Sequence, residues 1–166
     1  IKRIVIYVLG LFVLSIGVNI SKLAGLGISP VSSVPYALEL ITGISMGTAS
    51  LLVYSFFILM QIILLRRNYQ PIQLLQIVTT FFFSSFVNLT DHNHLLNWLP
   101  IPEPYVLRLV YVFIGIGITG LGVFLYLLPN LLAMPPEGLV SALMKVTKGR
   151  FTFSRMKVIF DETCGL

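Results

Sequence analysis

From Ile4 to Ile20 the chain runs through 17 residues without a charged side chain, and equally bare runs extend from Gly47 to Leu65 and from Ile72 to Leu89. A fourth apolar run, Val106 to Leu128, carries a single charge, Arg108, near its start. The hydrocarbon core of a bilayer is roughly 30 Å thick and takes about 20 apolar residues of helix to cross. Only helices and closed barrels satisfy their own backbone groups in hydrocarbon. Composition points the same way: 57% of the 166 residues are hydrophobic and 10% are charged, whereas soluble domains carry about 25% charged residues. Mean hydropathy is +0.96. The expected fold is all-α, a polytopic helical membrane protein with the lipid bilayer as its solvent.

The formal net charge of +5 does not imply a nucleic-acid partner, because the basic residues cluster at the ends of apolar runs. Lys2 and Arg3 precede the first, Arg66 and Arg67 follow the second, and Lys145, Lys148 and Arg150 form a third group. This is the positive-inside pattern and puts the N-terminus in the cytoplasm. Cys164 is the lone cysteine and forms no internal disulfide. The first run lacks a small-residue cleavage site and is followed by Lys22, so it reads as a retained span and not as a signal peptide.

Shifting the sequence by 105 positions aligns Arg3 with Arg108, Gly10 with Gly115, Gly17 with Gly122, Pro30 with Pro135, Ala37 with Ala142, and Thr42 with Thr147. Matches between leucines or valines carry little weight in so apolar a chain; paired glycines followed by a paired proline carry more. A two-fold internal repeat is expected. Residues 1–104 would hold spans at about 4–20, 47–65 and 72–89 with a short helix at about 30–43. Residues 105–166 would hold a span at about 106–128, a short helix at about 135–147 and the start of a further span from about 152. The second repeat lacks counterparts of the later spans, so it is expected to be truncated. Three spans per complete repeat is an odd number, which inserts the two copies with opposite orientation.

The short element, "SPVSSVPYALELITG", begins at Ser29. Ser29 suits an N-cap, Pro30 the first helical position and Gly43 the C-terminal stop. Pro35 is expected to kink the middle. Pro30 to Gly43 covers 14 residues, about 21 Å of helix, which suits a re-entrant half-helix; a short complete span stays open beside it. "PPEG", from Pro135 to Gly138, opens the corresponding element in the second copy. A helix N-terminus carries unpaired donors and about half a positive charge. Two such ends converging would form a solute site for an anionic or strongly accepting group, made by Ser29, Pro30, Ser32, Ser33, Pro135 and Glu137. The stripe Gln76, Thr80, Ser84 and Asn88, extended by Gln73, lies on one helical face and is expected to line the approach or to bond neighbouring helices. Glu39 is either an acidic residue at membrane depth, a candidate for proton coupling, or a solvated side chain of a helix lying at the interface. For Glu137, capping of its own helix by charge and dipole competes with a role at the site.

Other motifs point to packing or solvation. "GIGITG", Gly115 to Gly120, matches a dinucleotide-binding spacing but has no strand before it, and its glycines suit close helix approach. "DHNHLL" groups Asp91, His92 and His94, too few ligands for a metal site, with Trp98 and Tyr105 as interface anchors. No nucleophile–base pair stands out, so no catalytic residue, metal or cofactor is expected.

The stretch "LGISPVSSVPYALELITGISMGT" and its partner "LLAMPPEGLVSALMKVTKGRFTFSRMKVIFDE" resemble the YczE/YitT group of bacterial integral membrane proteins, which lack an assigned activity. Leu26, Gly27, Pro30, Thr42, Gly43 and Gly47 match that pattern in the first copy, and Pro135 and Gly138 in the second. Val31 stands in place of a frequent tryptophan and Met134 in place of a small residue. The resemblance implies a bacterial plasma membrane and a longer C-terminal part. A fainter similarity to substrate-binding subunits of vitamin transporters is a fold-level analogy. Two functions are expected: a small-solute transporter or permease, or a non-transporting subunit holding a membrane-protein partner or a second copy of itself.

Overall fold

The computed structural model describes residues 2–65, 74–91, 95–97, 99–129, 134–146 and 153–165, and over these the four apolar runs are largely helical. The helices are α1 (Lys2–Ala24), α2 (Pro30–Thr42), α3 (Met46–Leu65), α4 (Leu75–Leu89), α5 (Tyr105–Leu127), α6 (Pro135–Val146) and α7 (Phe153–Gly165), with no strand among the described residues. Of these, α1, α3 and α5 are long and apolar enough to cross a membrane. The expected span over 72–89 is represented by α4, whose 15 described residues give about 22 Å of helix. Its expected start at Ile72, together with Gln73, lies outside the described residues. So do Arg66, Arg67, His92, His94, Trp98, Lys148 and Arg150.

The α1–α5 pair forms the spine. The two helices run antiparallel and touch through glycines at four levels: Gly10 against Tyr126, Gly17 against Thr119, Gly115 against Ser21, and Gly122 against Leu14. A Cβ added at Gly17 would lie 2.6 Å from Thr119 N, and one added at Gly122 would lie 2.6 Å from Leu14 N. No larger residue fits at this separation without pushing the backbones apart. Lipid tails give helices no hydrophobic reason to associate, so contact area of this kind holds the pair together. In the "GIGITG" stretch Gly115 is used in this way, while Gly117 and Gly120 meet nothing within 4 Å.

Polar side chains join the remaining helices. Ser84 Oγ donates to the Gly47 carbonyl at 2.5 Å, and Asn88 Oδ1 accepts from the Gly47 amide at 3.1 Å, fixing the start of α3 against the end of α4. Asn19 Nδ2 of α1 donates to Val87 O and Thr90 Oγ1, both at 2.8 Å. Gln61 of α3, fully buried, donates from Nε2 to the Pro135 carbonyl at 2.9 Å and so seats α6. Tyr7, Leu14, Val18, Tyr54, Phe83, Tyr126 and Met134 belong to one buried apolar cluster. Large apolar residues such as Phe113, Ile63 and Phe81 point outward, exposed by 72%, 68% and 59%. An apolar exterior around a polar-stitched interior is what lipid requires of a bundle.

The short element α2 is a helix of 13 residues with Pro30 in its first turn. Gly43 closes it in the left-handed region at φ 71°, its amide donating to Glu39 O at 2.8 Å, a conformation that costs glycine nothing. Pro35 is buried inside α2, and its missing amide leaves the Val31 carbonyl without its helical donor. Lys22, in the last turn of α1, pairs with Glu39 near the end of α2 at 2.6 Å. Ser29, at the start of α2, shares a cavity wall with Leu14 and Val18, further back along α1. The chain thus leaves α1, doubles back beside it, and returns along α2 to the level of the α1 terminus.

Candidate functional site

The N-terminal ends of α2 and α6 face one cavity of about 210 Å³. Ser29, Pro30, Val31 and Ser32 come from the first end, and Met134, Pro136 and Glu137 from the second. Leu14 and Val18 of α1, Thr119, Val123 and Tyr126 of α5, Tyr54 of α3, and Phe83 of α4 supply the long-helix walls. Helix α7 adds Lys157, Phe160 and Asp161. The cavity is smaller than the pockets of drug-sized ligands, roughly 300–1,000 Å³, and suits a small solute. A second hollow of about 480 Å³ shares Val18, Ser29, Ser32 and Thr119 with it and extends past Gly27, Ile116 and Gly120. Ser29 and Ser32 therefore stand at the junction of the two spaces.

Local structure explains how the α2 end is presented. The Ser29 carbonyl accepts from the amides of Ser32 at 2.9 Å and Ser33 at 3.0 Å, so its backbone closes the first turn. Its side chain makes no capping bond; Ser29 Oγ donates to Ser32 Oγ at 3.0 Å instead. Ser33 does not line the cavity: its Oγ donates to the Pro30 carbonyl at 2.5 Å. At the α6 end Pro135 is buried with its carbonyl bound by Gln61, and Pro136 reaches the cavity in its place. Glu137 lies in the first turn of α6 and accepts from Tyr126 Oη at 2.6 Å.

The polar stripe of α4 is occupied elsewhere. Ser84 and Asn88 bind Gly47, and Thr80 Oγ1 donates to Gln76 O at 2.7 Å. Gln76 packs its amide beside Gly138, where an added Cβ would lie 2.8 Å from Nε2. Phe83, on the same helix, is what α4 contributes to the cavity. Glu39 stands apart as well. It is held by Lys22, which also reaches Asp91 at 3.4 Å, so one ammonium ties α1, α2 and the end of α4 together. Asp91 is thus spent on an ion pair, and no cluster of three metal-ligating side chains exists among the described residues.

Two cavity residues were not among the site residues expected from the sequence, Lys157 and Asp161. Their signal was present: two opposite charges four residues apart at the start of an expected span.

Comparison with known proteins gives a family and no activity. The uncharacterized protein YyaS of Bacillus subtilis (strain 168) is similar, 26% identical over 158 residues, which cover 92% of this chain and 73% of YyaS. No solved structure matches. A model of a family of unknown function, DUF6198, matches residues 1–166, and the chain belongs to that family.

Proposed function

We propose that this chain is a multi-pass protein of the bacterial plasma membrane, N-terminus cytoplasmic, that binds a small solute between α2 and α6 and carries it across the bilayer. The observation that carries this proposal is the convergence of two short-helix N-termini on one cavity, from Ser29 to Ser32 and from Met134 to Glu137. Irregular backbone at membrane depth is tolerated where it lines a cavity, and half-helix ends meeting near the midplane are a recurrent way to hold a substrate in transporters. In this assignment Ser29, Pro30, Ser32, Pro136 and Glu137 form the site, and Pro135 and Gln76 support it from behind. The protein performs no covalent chemistry.

An inverted internal repeat fits the same proposal. The glycine contacts are reciprocal under the shift of 105 positions: Gly10 faces Tyr126 while Gly115 faces Ser21, and Gly17 faces Thr119 while Gly122 faces Leu14. Exchange of the two copies maps each contact onto its partner, as a two-fold axis between α1 and α5 requires. The YczE/YitT resemblance, carried by Leu26, Gly27, Pro30 and Gly43, agrees with the membrane assignment.

Screening small solutes by thermal stabilisation of the purified protein tests the proposal, with Ser32→Phe as the blocked control. A solute that raises the melting temperature of the wild type and not of Ser32→Phe is expected, followed by its uptake into proteoliposomes. Equal stabilisation of both proteins would refute the site. The other role, docking of a membrane partner, is favoured by Gly117 and Gly120, open and exposed on α5. Stable co-purification without any solute effect would decide for it.

A further inference from the structure

The cavity holds three charged groups, and they are not alike in what they lack. Glu137 is provided for by the Tyr126 hydroxyl at 2.6 Å and by its place in the first turn of α6. Lys157 and Asp161 are not. The ion pairs among the described residues are those of Lys22; neither Lys157 nor Asp161 takes part in one. Asp161 Oδ1 is buried and accepts no hydrogen bond. The two residues lie four apart on α7, one above the other on one helical face and about 6 Å apart along its axis, and both border the cavity. A buried carboxylate oxygen costs free energy unless countered, and Lys157, half-buried one turn away, does not pair with Asp161.

We propose that these two groups are completed by the ligand, and that the solute of this cavity is a small zwitterion of the α-amino-acid type. Its carboxylate would sit between Lys157 and the start of α2, where the Ser32 hydroxyl borders the cavity. Its ammonium would sit beside Asp161. The charge separation within an α-amino acid is short enough to be flanked by both groups, and the walls left over, Leu14 and Val18 among them, suit an apolar side chain. A simple anion would leave Asp161 uncountered, and a simple amine would leave Lys157 so. This inference rests on the binding role proposed above and sharpens it.

The test is calorimetric titration of the full chain in detergent with the twenty standard L-α-amino acids, beside isoamylamine and 4-methylpentanoate as singly charged analogues of leucine. At least one amino acid is expected to bind, and to bind at least about tenfold more tightly than either analogue, since each charged hydrogen bond contributes at least that factor. In Lys157→Gln the zwitterion should weaken by about tenfold or more while isoamylamine is unchanged; in Asp161→Asn the zwitterion should weaken and 4-methylpentanoate should not. Unliganded melting temperatures of both variants establish that they fold. If no amino acid binds, the zwitterion assignment is overturned. If some other solute still binds and Ser32→Phe abolishes its binding, the cavity remains a binding site of different chemistry; if nothing binds, both proposals fall.

Discussion

Replacing Gly17 by alanine probes the α1–α5 spine with the smallest possible change. The new Cβ would lie 2.6 Å from Thr119 N and 2.9 Å from Thr119 Cα, where ordinary contact begins at 3.4 Å. The obstruction is backbone, which cannot rotate aside, so α5 must retreat by about 0.8 Å at this level, the difference between 3.4 and 2.6 Å. Overpacking of this order costs about 1–3 kcal/mol, of which up to about 1 kcal/mol returns through the better helix propensity of alanine. A net loss of about 1–2 kcal/mol lowers the melting temperature of a chain this size by roughly 2–8 °C. Gly122→Ala meets Leu14 N at 2.6 Å and should lose a similar amount. Because both variants force the same two helices apart within about one turn, the double variant should lose less than the sum. Gly117→Ala, with nothing within 4 Å, is the control and should not be destabilised. Thermal unfolding of the four proteins in micelles provides the measurement. An unchanged melting point for Gly17→Ala, or a loss in Gly117→Ala equal to it, would refute the close-approach account of the spine.

Lys22→Met should destabilise the fold by about 1–3 kcal/mol, between the values for exposed and buried pairs, because Glu39 and Asp91 lose one shared counter-charge. Glu39→Gln should cost less, since Lys22 keeps Asp91; equal melting points for the two variants would contradict this. For topology, Asn19 joins the far end of α1 to the end of α4. In a Cys164→Ser background, cysteines at Arg3 and Asn97 should therefore be labelled from opposite sides of the membrane, and labelling from one side would overturn the arrangement.

The helical class and the long apolar runs were legible because hydrocarbon imposes a length and a composition that sequence displays directly. The α1–α5 glycines were legible for a related reason: Gly10, Gly17, Gly115 and Gly122 recur seven apart, two turns along one face. What sequence could not display was which partner each polar group would find. Glu39 looked like an isolated carboxylate at membrane depth, but α2 runs back toward the end of α1 and delivers it to Lys22, 17 residues away. The stripe on α4 was visible as a period of four, yet whether it would face a pathway or a helix depended on Gly47, whose bare backbone lets Ser84 and Asn88 reach its carbonyl and amide. Lys157 and Asp161 were hidden by the reverse error. They sit where a span was expected to begin, and charges at span ends are ordinarily solvated; the packing of α7 on both α2 and α6 brings them to the cavity.

The walls of the cavity are drawn from almost the whole length of the chain, Leu14 on one side and Asp161 on another. A ribosome adding about 5–20 residues per second takes roughly 7–30 s to pass from the first of these to the second. For most of that interval α2 is already made but too short to cross hydrocarbon, and its contacts with α7 do not yet exist. Its polar start must wait at the membrane surface or against the incomplete bundle. In the proposed arrangement the seating of α2 is completed only when α7 arrives, and nascent chains arrested before α7 should leave this segment more open to proteases than it is in the finished protein.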